Sequence, residues 1–438
     1  MDISRRKFIS HSAAVVGGTL LHPLSVRSSA HVAGSDTLKL ALIGSGARGA
    51  GAVRMAIRTE GPVELIAMAD VFRDKIDQSY ESLIQAPDLK DHINVPEEHK
   101  FVGLDSYKQA IELADVVILA SPPAFRPFHF EAAVDAGKHV FMEKPLACDA
   151  PGVRKILAAG KIADEKGLKV VVGLQNRYGY RQRHLVEQVQ NGTIGTMTSA
   201  RVHYLIPDIT LIPREENQTE LEFQLRNWRH FCWLWGGSPA ALTIHYTDVI
   251  NWAKDAHPIR AFGSGGRSVF SGPDRGDVFD NFYIEFEYAD GMRLHSATRH
   301  VPGGWNNRGF YFHGSEGVAS HPATSRISEI KNYDGETIWS YEDEDDPSAF
   351  QLAMDVFFRS VREDIPQNDT EWGANSTMTD IMGRMAVHSG HMIEWDEALN
   401  SEVVLVPENL TWDSEAPVQP NVDGIYPIPV PGSKSGIV

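Results

Sequence analysis

Residues 38–70 limit what this chain folds into more than any other stretch. An apolar run, Leu38, Leu40, Ala41, Leu42 and Ile43, stops at Gly44-Ser45-Gly46-Ala47-Arg48-Gly49. About 20 residues later a second apolar run, Val63 to Met68, ends at Asp70. The spacing predicts strand, tight turn, helix and second strand in one parallel unit. In such a unit Gly44 makes the turn, Gly46 admits backbone close to a pyrophosphate, and Gly49 lets the helix lie against the strand. Ala47 and Arg48 open that helix, whose N-terminus favours anions. Asp70 stands where a ribose hydroxyl would donate to it. The reading is a dinucleotide site that takes NAD in preference to NADP, since Asp70 repels a 2′-phosphate. Arg73, three residues on, is the side chain able to turn toward such a phosphate.

The same alternation continues to Gly173. Strand-like runs fall at 38–43, 64–69, 116–120, 139–142 and 169–173, separated by helical stretches such as Pro127–Ala136 and Pro151–Lys166. This predicts a doubly wound parallel sheet over residues 36–173. The polar segment 85–100 reads as an irregular insertion. After Gly173 longer alternating runs appear at 198–205, 261–269, 281–289, 292–300 and 309–312, with turn signals such as Ala289-Asp290-Gly291. They predict an α/β domain over 174–405 with a large open, mostly antiparallel sheet. Helical spacing covers 240–252, 349–362 and 375–392. Residues 406–438 hold six of the 24 prolines and read as an extended arm on a surface.

A net charge of −17 argues against nucleic-acid or anionic-membrane partners. The first residues do not belong to the fold. Ser4-Arg5-Arg6-Lys7-Phe8-Ile9 resembles a twin-arginine export signal, followed by a short apolar region and the small residues Ser28-Ser29-Ala30. The apolar region is too short to span a bilayer, so residues 1–30 read as a removable signal peptide and the protein as periplasmic or otherwise exported. Cleavage there removes Arg5, Arg6, Lys7 and Arg27 but only Asp2 among acids, which moves the charge from −17 to −20. Cys148 and Cys232 are too few for a disulfide framework and read as small buried residues. The acidic run Glu342–Asp346 reads as a solvated loop; no metal is expected.

Two further segments carry chemistry. The strand 116–120 ends at Ser121-Pro122-Pro123, and the next ends at Glu143-Lys144-Pro145. Ligands in doubly wound sheets bind at these carboxyl ends, which brings Ser121, Pro122, Glu143 and Lys144 to the cleft. An amine there can exchange a proton with a substrate hydroxyl as hydride moves, aided by a pKa lowered through burial and positive neighbours; the same residues equally form a plain surface Lys–Glu pair at a strand end. The segment Gln224–Gly237 holds Arg226, Trp228, Arg229, Trp233 and Trp235. Flat apolar faces and guanidinium forks suit sugars; the same residues equally suit an interface or a loop anchor.

The glycine loop, Asp70, the Ser-Pro-Pro turn, Ala136-Gly137-Lys138-His139-Val140 and Glu143-Lys144-Pro145 together resemble the glucose–fructose oxidoreductase / inositol dehydrogenase (Gfo/Idh/MocA) family. So do His245-Tyr246-Thr247-Asp248 and Ile381-Met382-Gly383-Arg384-Met385-Ala386, and the likeness spans roughly residues 38–405. It implies an NAD(P)-dependent oxidoreductase of sugars, glycosides or polyols, with Lys144 as catalytic lysine, His245 as acid/base and Asp248 helping to build the site. Arg177 and Tyr178 follow the last strand of the first domain, where members contact cofactor or substrate, and Tyr246 adjoins His245. The open sheet implies a homodimer or homotetramer. Many members carry a carboxylate four residues before the histidine; here that residue is Ala241. Two other readings stand beside oxidoreduction: glycoside cleavage through a transient keto-sugar on tightly held NAD, and a sugar-binding protein without catalysis.

Overall fold

The computed structural model describes residues 36–433. The expected signal peptide and the last five residues of the arm lie outside them. The first sheet holds β1 (Leu38–Ile43), β2 (Val63–Asp70), β3 (Lys100–Val102), β4 (Val116–Leu119), β5 (His139–Met142) and β6 (Val170–Val172). All pairs are parallel, in the order β3-β2-β1-β4-β5-β6. Between the strands run α1 (Ala47–Ile57), α2 (Arg73–Ile84), α3 (Ser106–Leu113), α4 (Arg126–Asp135) and α5 (Ala150–Glu165). The apolar strands bury both faces, as a parallel sheet between helices requires. Leu40 and Leu42 pack with Val53 of α1, while Ala41 and Ile43 pack on the opposite side with Val117 and Leu119.

The second part begins with α6 (Tyr180–Gln190) and contributes β7 (Met197–Ile206), β8 (Arg260–Gly266), β9 (Asn281–Glu287), β10 (Arg293–His300), β11 (Asn307–Gly314), β12 (Gly317–Pro322), β13 (Ile327–Asn332), β14 (Thr337–Glu342) and β15 (Ile393–Glu394). Their order is β14-β13-β12-β11-β7-β10-β9-β8-β15. All pairs are antiparallel except β7 with β10. The remaining helices are α7 (Glu220–Arg226), α8 (Cys232–Trp235), α9 (Ile244–Lys254), α10 (Ala349–Arg362), α11 (Thr370–Ser389) and α12 (Trp395–Leu399). The described residues from Thr37 onward belong to one compact unit.

Helix α10 shows how the two parts are joined. Its buried residues, Ala353, Met354, Phe357, Phe358 and Val361, recur at helical spacing and pack into the core beside α1 and the first sheet. Each buried phenylalanine contributes about 1.5–3 kcal/mol. A parallel bridge between Val170 and Asn368 ties the chain back to β6 before α11 begins.

Several elements differ from the sequence pattern. The segment 85–100 contains two short 3₁₀ turns and leads into β3, a three-residue edge strand too short to display alternation. The hairpin strands β12, β13 and β14 extend the second sheet beyond the expected strands. Their outer members bury little, with Ile327 and Ile338 exposed, so the apolar pattern is weak. The expected helix over 240–252 opens with a five-residue π turn, Pro239–Thr243, before α9. Both cysteines are buried as thiols.

Candidate functional site

The cleft lies at the carboxyl ends of β1, β2, β4 and β5. Gly44 adopts φ +90°, and a Cβ there would stand 2.2 Å from the Ser121 backbone nitrogen. The glycine loop therefore lies directly on the turn that ends β4. A Cβ on Gly49 would sit 2.3 Å from the Gly44 carbonyl oxygen, so α1 packs tightly behind the loop. Gly46 is different: a Cβ there would meet nothing within 4 Å, so the space before α1 is open. Helix α1 has no side-chain N-cap and no acid in its first turn. Ala47, Arg48 and Gly49 thus offer first-turn amides that lack intrahelical acceptors. An open cradle under a positive helix end fits a pyrophosphate.

Asp70 closes the end of β2. One carboxylate oxygen accepts from the Ser45 amide at 2.7 Å and the other from the Phe72 amide at 3.0 Å. Burial is the largest influence on this carboxyl and raises its pKa, against the lowering effect of those amides. Asp70 lines a pocket with Val71, Leu104, Ser121, Phe125 and Leu225. Its apolar walls and one carboxylate suit an adenosine moiety. Arg73 is engaged elsewhere, with Asp77 at 2.9 Å and with Glu97. No cation is thereby turned toward a 2′-phosphate from that position.

Buried Arg126 joins the two halves of the cleft. It donates to the Ser121 carbonyl at 2.5 Å and to the Pro145 carbonyl, binding the Ser-Pro-Pro turn to the Lys144–Pro145 turn. The Lys144–Pro145 peptide is cis. His129 pairs through Nδ1 with the Ser121 hydroxyl at 3.0 Å; burial and Arg126 push its pKa down to about 3. Arg48 meets Glu143 at 2.5 Å and lies over the Phe350 ring at 4.3 Å. This pair anchors α1 to the residue before Lys144.

Lys144 donates to the Ala241 carbonyl at 2.7 Å. Burial pushes its pKa down to about 8; Glu143 opposes, while Arg48, Arg126 and Arg229 assist. Ala241 lies in the π turn, so it is not one regular α-turn before His245. Its backbone carbonyl holds the lysine, and no carboxylate side chain stands there. Such wide turns recur at functional sites. His245 begins α9, and its buried Nδ1 has no hydrogen-bond partner among the described residues. Burial, then Lys144 and Arg48, push its pKa well below 6.5. At physiological pH this holds His245 as a neutral imidazole.

Asp248 is fully buried. It receives both Arg177 nitrogens, Nη2 at 2.8 Å and Nε at 2.9 Å, and the Ser376 hydroxyl at 2.7 Å. Arg177 also lies over the Trp372 ring at 4.0 Å. Asn176 donates to the His245 carbonyl at 2.6 Å. Asp248 and Arg177 form an ion pair that fixes α9 against the end of β6. Asp248 thus helps to build the site, and Arg177 spends Nε and Nη2 on it.

The expected sugar contacts fare differently. Tyr178 is buried and donates to Asp369, and Trp233 is buried with its N–H on Gln224 at 2.7 Å. Neither presents a free face. Tyr246 packs on Tyr204 and Phe310, toward the second sheet. Arg226 pairs with Glu222 and Asp74, beside Phe72 on the adenosine side. Trp228, two residues on, is half-buried and lies under Arg229, whose guanidinium stands 5.2 Å from its ring centroid and whose charge acts on Lys144.

Sequence reasoning missed Arg126 and the polar residues of α11. Ser376, Asp380 and Arg384 recur every four residues on one face. Asp380 accepts from Thr247 at 2.6 Å and Thr243 at 3.2 Å; burial pushes its pKa up to about 8. Arg384 donates to the Cys148 and Gly236 carbonyls. The four-residue recurrence was present in the sequence, but nothing there marked it as buried. Among the described residues no group of three or more His, Cys, Asp or Glu side chains could hold a metal.

The family model described as an oxidoreductase family with an NAD-binding Rossmann fold, Gfo/Idh/MocA, matches residues 38–174. Inositol 2-dehydrogenase of Rhizobium meliloti (strain 1021) is 24% identical over 237 residues, 53% of this chain and 65% of that protein. Glycosyl hydrolase family 109 protein 1 of Shewanella sp. (strain ANA-3) is 22% identical over 422 residues, 90% of this chain and 78% of that protein. Among solved structures, the aldose-aldose oxidoreductase from Caulobacter crescentus superposes with a TM-score of 0.65 at 17% identity, over 82% of this chain and 99% of the other. Scyllo-inositol dehydrogenase from Lactobacillus casei, solved with NAD(H) and scyllo-inositol, gives 0.61 at 18% identity over 82% and 99%. These structural likenesses concern the fold.

Proposed function

Because residues 38–174 match the family model of the Gfo/Idh/MocA oxidoreductases with an NAD-binding Rossmann fold, we propose that this chain moves hydride between NAD and a carbon bearing a hydroxyl in a sugar, glycoside or polyol. The observation that carries the reading is Lys144, a part-buried amine with pKa lowered to about 8, at the end of the strand beside the dinucleotide cradle. The nicotinamide supplies the hydride acceptor or donor. Gly46 and the first-turn amides would hold the pyrophosphate, and Asp70 the ribose. Lys144 takes the hydroxyl proton in oxidation and returns it in reduction. The Ala241 carbonyl aims the amine. Neutral His245 accepts a hydrogen bond from the substrate or donates one from its other ring nitrogen. Asp248, Arg177 and Asn176 keep α9, and with it His245, at fixed distance from Lys144.

The test is direct. Purified chain is denatured and the released nucleotide identified; the protein is then assayed for NADH formation against a panel of sugars and glycosides. Bound or titratable NAD with turnover that is lost in Lys144→Ala supports the reading. Nucleotide binding with neither NADH formation nor cleavage of any glycoside in the panel favours the non-catalytic sugar-binding alternative.

A second reading is glycoside cleavage on retained NAD. It is favoured by the Shewanella glycosyl hydrolase family 109 protein, which matches 90% of this chain. Export supports retention, because free NAD is scarce outside the cytoplasm. That localisation rests on residues 4–30 alone, and Arg5→Lys with Arg6→Lys tests it: the double variant should stay in the cytoplasm. Self-association through the second sheet is supported by Phe262 and Tyr283, exposed on the strands β8 and β9.

A further inference from the structure

A fixed backbone turn carries two uncommitted side chains beside Lys144. The 3₁₀ turn Trp228–His230 follows α7 and is anchored at both ends. Asn227, buried before it, donates to the Ile212 carbonyl at 3.1 Å and accepts from the Ile212 amide at 2.8 Å. The His230 carbonyl accepts from the Asp277 amide at 3.0 Å, and the Asp277 carboxylate accepts from the Cys232 amide at 2.7 Å. Between these anchors Trp228 is half-buried and Arg229 is exposed. Neither side chain makes a hydrogen bond or ion pair among the described residues. Their guanidinium and indole lie together, 5.2 Å from cation to ring centroid. Buried Trp233, by contrast, spends its N–H on Gln224 at 2.7 Å.

The turn borders the Lys144 amine. Trp228 packs on the apolar cluster that holds Ala241 and Trp235, and the Ala241 carbonyl accepts from the amine at 2.7 Å. The charges that act most on Lys144 are Glu143 and three arginines, Arg48, Arg126 and Arg229. Glu143 is already paired with Arg48 at 2.5 Å, and buried Arg126 has both terminal nitrogens on backbone carbonyls. Asp248 of α9 is spent on Arg177 and Ser376. Arg229 is the exposed cation of this set without an acid. The whole chain carries −17, so a pocket where cations outnumber acids runs against the protein's own charge. A free guanidinium fork matches the oxygens of an anion, and an indole face beside it matches the C–H face of a sugar ring.

We propose that Arg229 and Trp228 form a subsite for an anionic group on the substrate sugar, the carboxylate of a uronic acid or a sulfate ester, so that the site at Lys144 selects acidic sugars over neutral ones. The proposal rests on the hydride-transfer reading above and names the substrate class within it. Arg229 takes the anion through its fork, while Trp228 lies against the ring. An acidic sugar is repelled by the chain as a whole, and the local cations are what draw it to the amine.

The experiment uses the full chain loaded with NAD and follows NADH formation and glycoside cleavage with matched ligands: a neutral glycoside, its uronide and its sulfate ester, in gluco and galacto configuration. The native chain should use an acidic ligand about tenfold or more better than its neutral counterpart, the scale of a charge-assisted hydrogen bond. The better of the two acidic arms identifies carboxylate or sulfate. Arg229→Gln should raise half-saturation by the acidic ligand about tenfold and so remove the preference, which Arg229→Lys restores in part. The preference is a ratio, so any change in the Lys144 amine cancels from it. Trp228→Ala should weaken neutral and acidic ligands alike, because a ring face does not read charge. If Arg229→Gln misfolds by circular dichroism, added salt is the independent check on the native chain: it should weaken the acidic ligand and spare the neutral one. Native preference for neutral ligands, or an acidic preference that survives both Arg229→Gln and salt, overturns the subsite while leaving hydride transfer intact. Absence of NADH formation and of cleavage with every ligand overturns both.

Discussion

Lys144 sets the direction of the pH dependence of turnover. Burial is the largest influence on its ammonium, and Arg48, Arg126 and Arg229 add to it against Glu143, taking the pKa from 10.5 to about 8. The drop corresponds to roughly 3 kcal/mol against the charged form. The neutral amine is the form that removes a hydroxyl proton. Single-turnover NADH formation should therefore rise with pH through about 8 and level above it. His245 adds no rise near 6.5, because burial beside Lys144 already holds its ring neutral there. Arg229→Gln removes one positive neighbour and should move the rise to higher pH. Lys144→Arg should abolish the rise, since a guanidinium keeps its proton throughout. Lys144→Ala should cost about 10²–10⁴ in rate while NADH still binds. The assay is stopped-flow absorbance of NADH with the best substrate of the panel, across pH. A rise near 6.5 that survives Lys144→Ala and vanishes in His245→Ala would refute the assignment.

Other outcomes follow from the same geometry. Gly44→Ala should lower stability by at least about 2 kcal/mol in urea unfolding, because its φ of +90° and the Ser121 nitrogen at 2.2 Å leave no place for a methyl group. Asp70→Ser should narrow the preference for NADH over NADPH in fluorescence titrations; equal affinity for both in the native chain would contradict the placement of Asp70. Asp380→Asn should gain stability relative to the native chain as pH rises. The folded pKa of about 8 exceeds the unfolded 3.8, so the aspartic acid's contribution is full below 3.8 and is lost as pH rises through 8. Thermal unfolding of both proteins at pH values below and above 8 checks this, and parallel melting curves would contradict it.

The dinucleotide unit was legible because its requirements are local. A strand, three glycines and an acid at fixed spacing specify a turn, a close approach and a helix end within 33 residues, 38–70. Helix α10 was equally legible, since one apolar stripe at helical spacing marks its buried face over Ala349–Arg362. The edge strands β13 and β14 were not, because strands that bury few side chains carry little pattern. Tyr178 and Trp233 looked available for a sugar because composition does not tell a buried aromatic from an exposed one.

By itself the sequence determined the parallel fold of the first domain, its cofactor class and the place of Lys144, the proposed proton carrier, at the end of a strand in the cleft. These follow from neighbours along the chain, where backbone geometry fixes the distances. Tertiary structure alone decided what those residues are able to do. Lys144 becomes a weaker base than free lysine because burial takes its ammonium out of water, with Arg48, Arg126 and Arg229 adding to that effect, while a π turn offers the Ala241 carbonyl that aims it. Asp248 becomes a strut because Arg177 and Ser376 converge on it from two other elements. Charge, burial and hydrogen-bond saturation depend on which segments meet in space, and that information is spread over contacts between distant residues, such as Ser376 of α11 with Asp248 of α9, which no local spacing records.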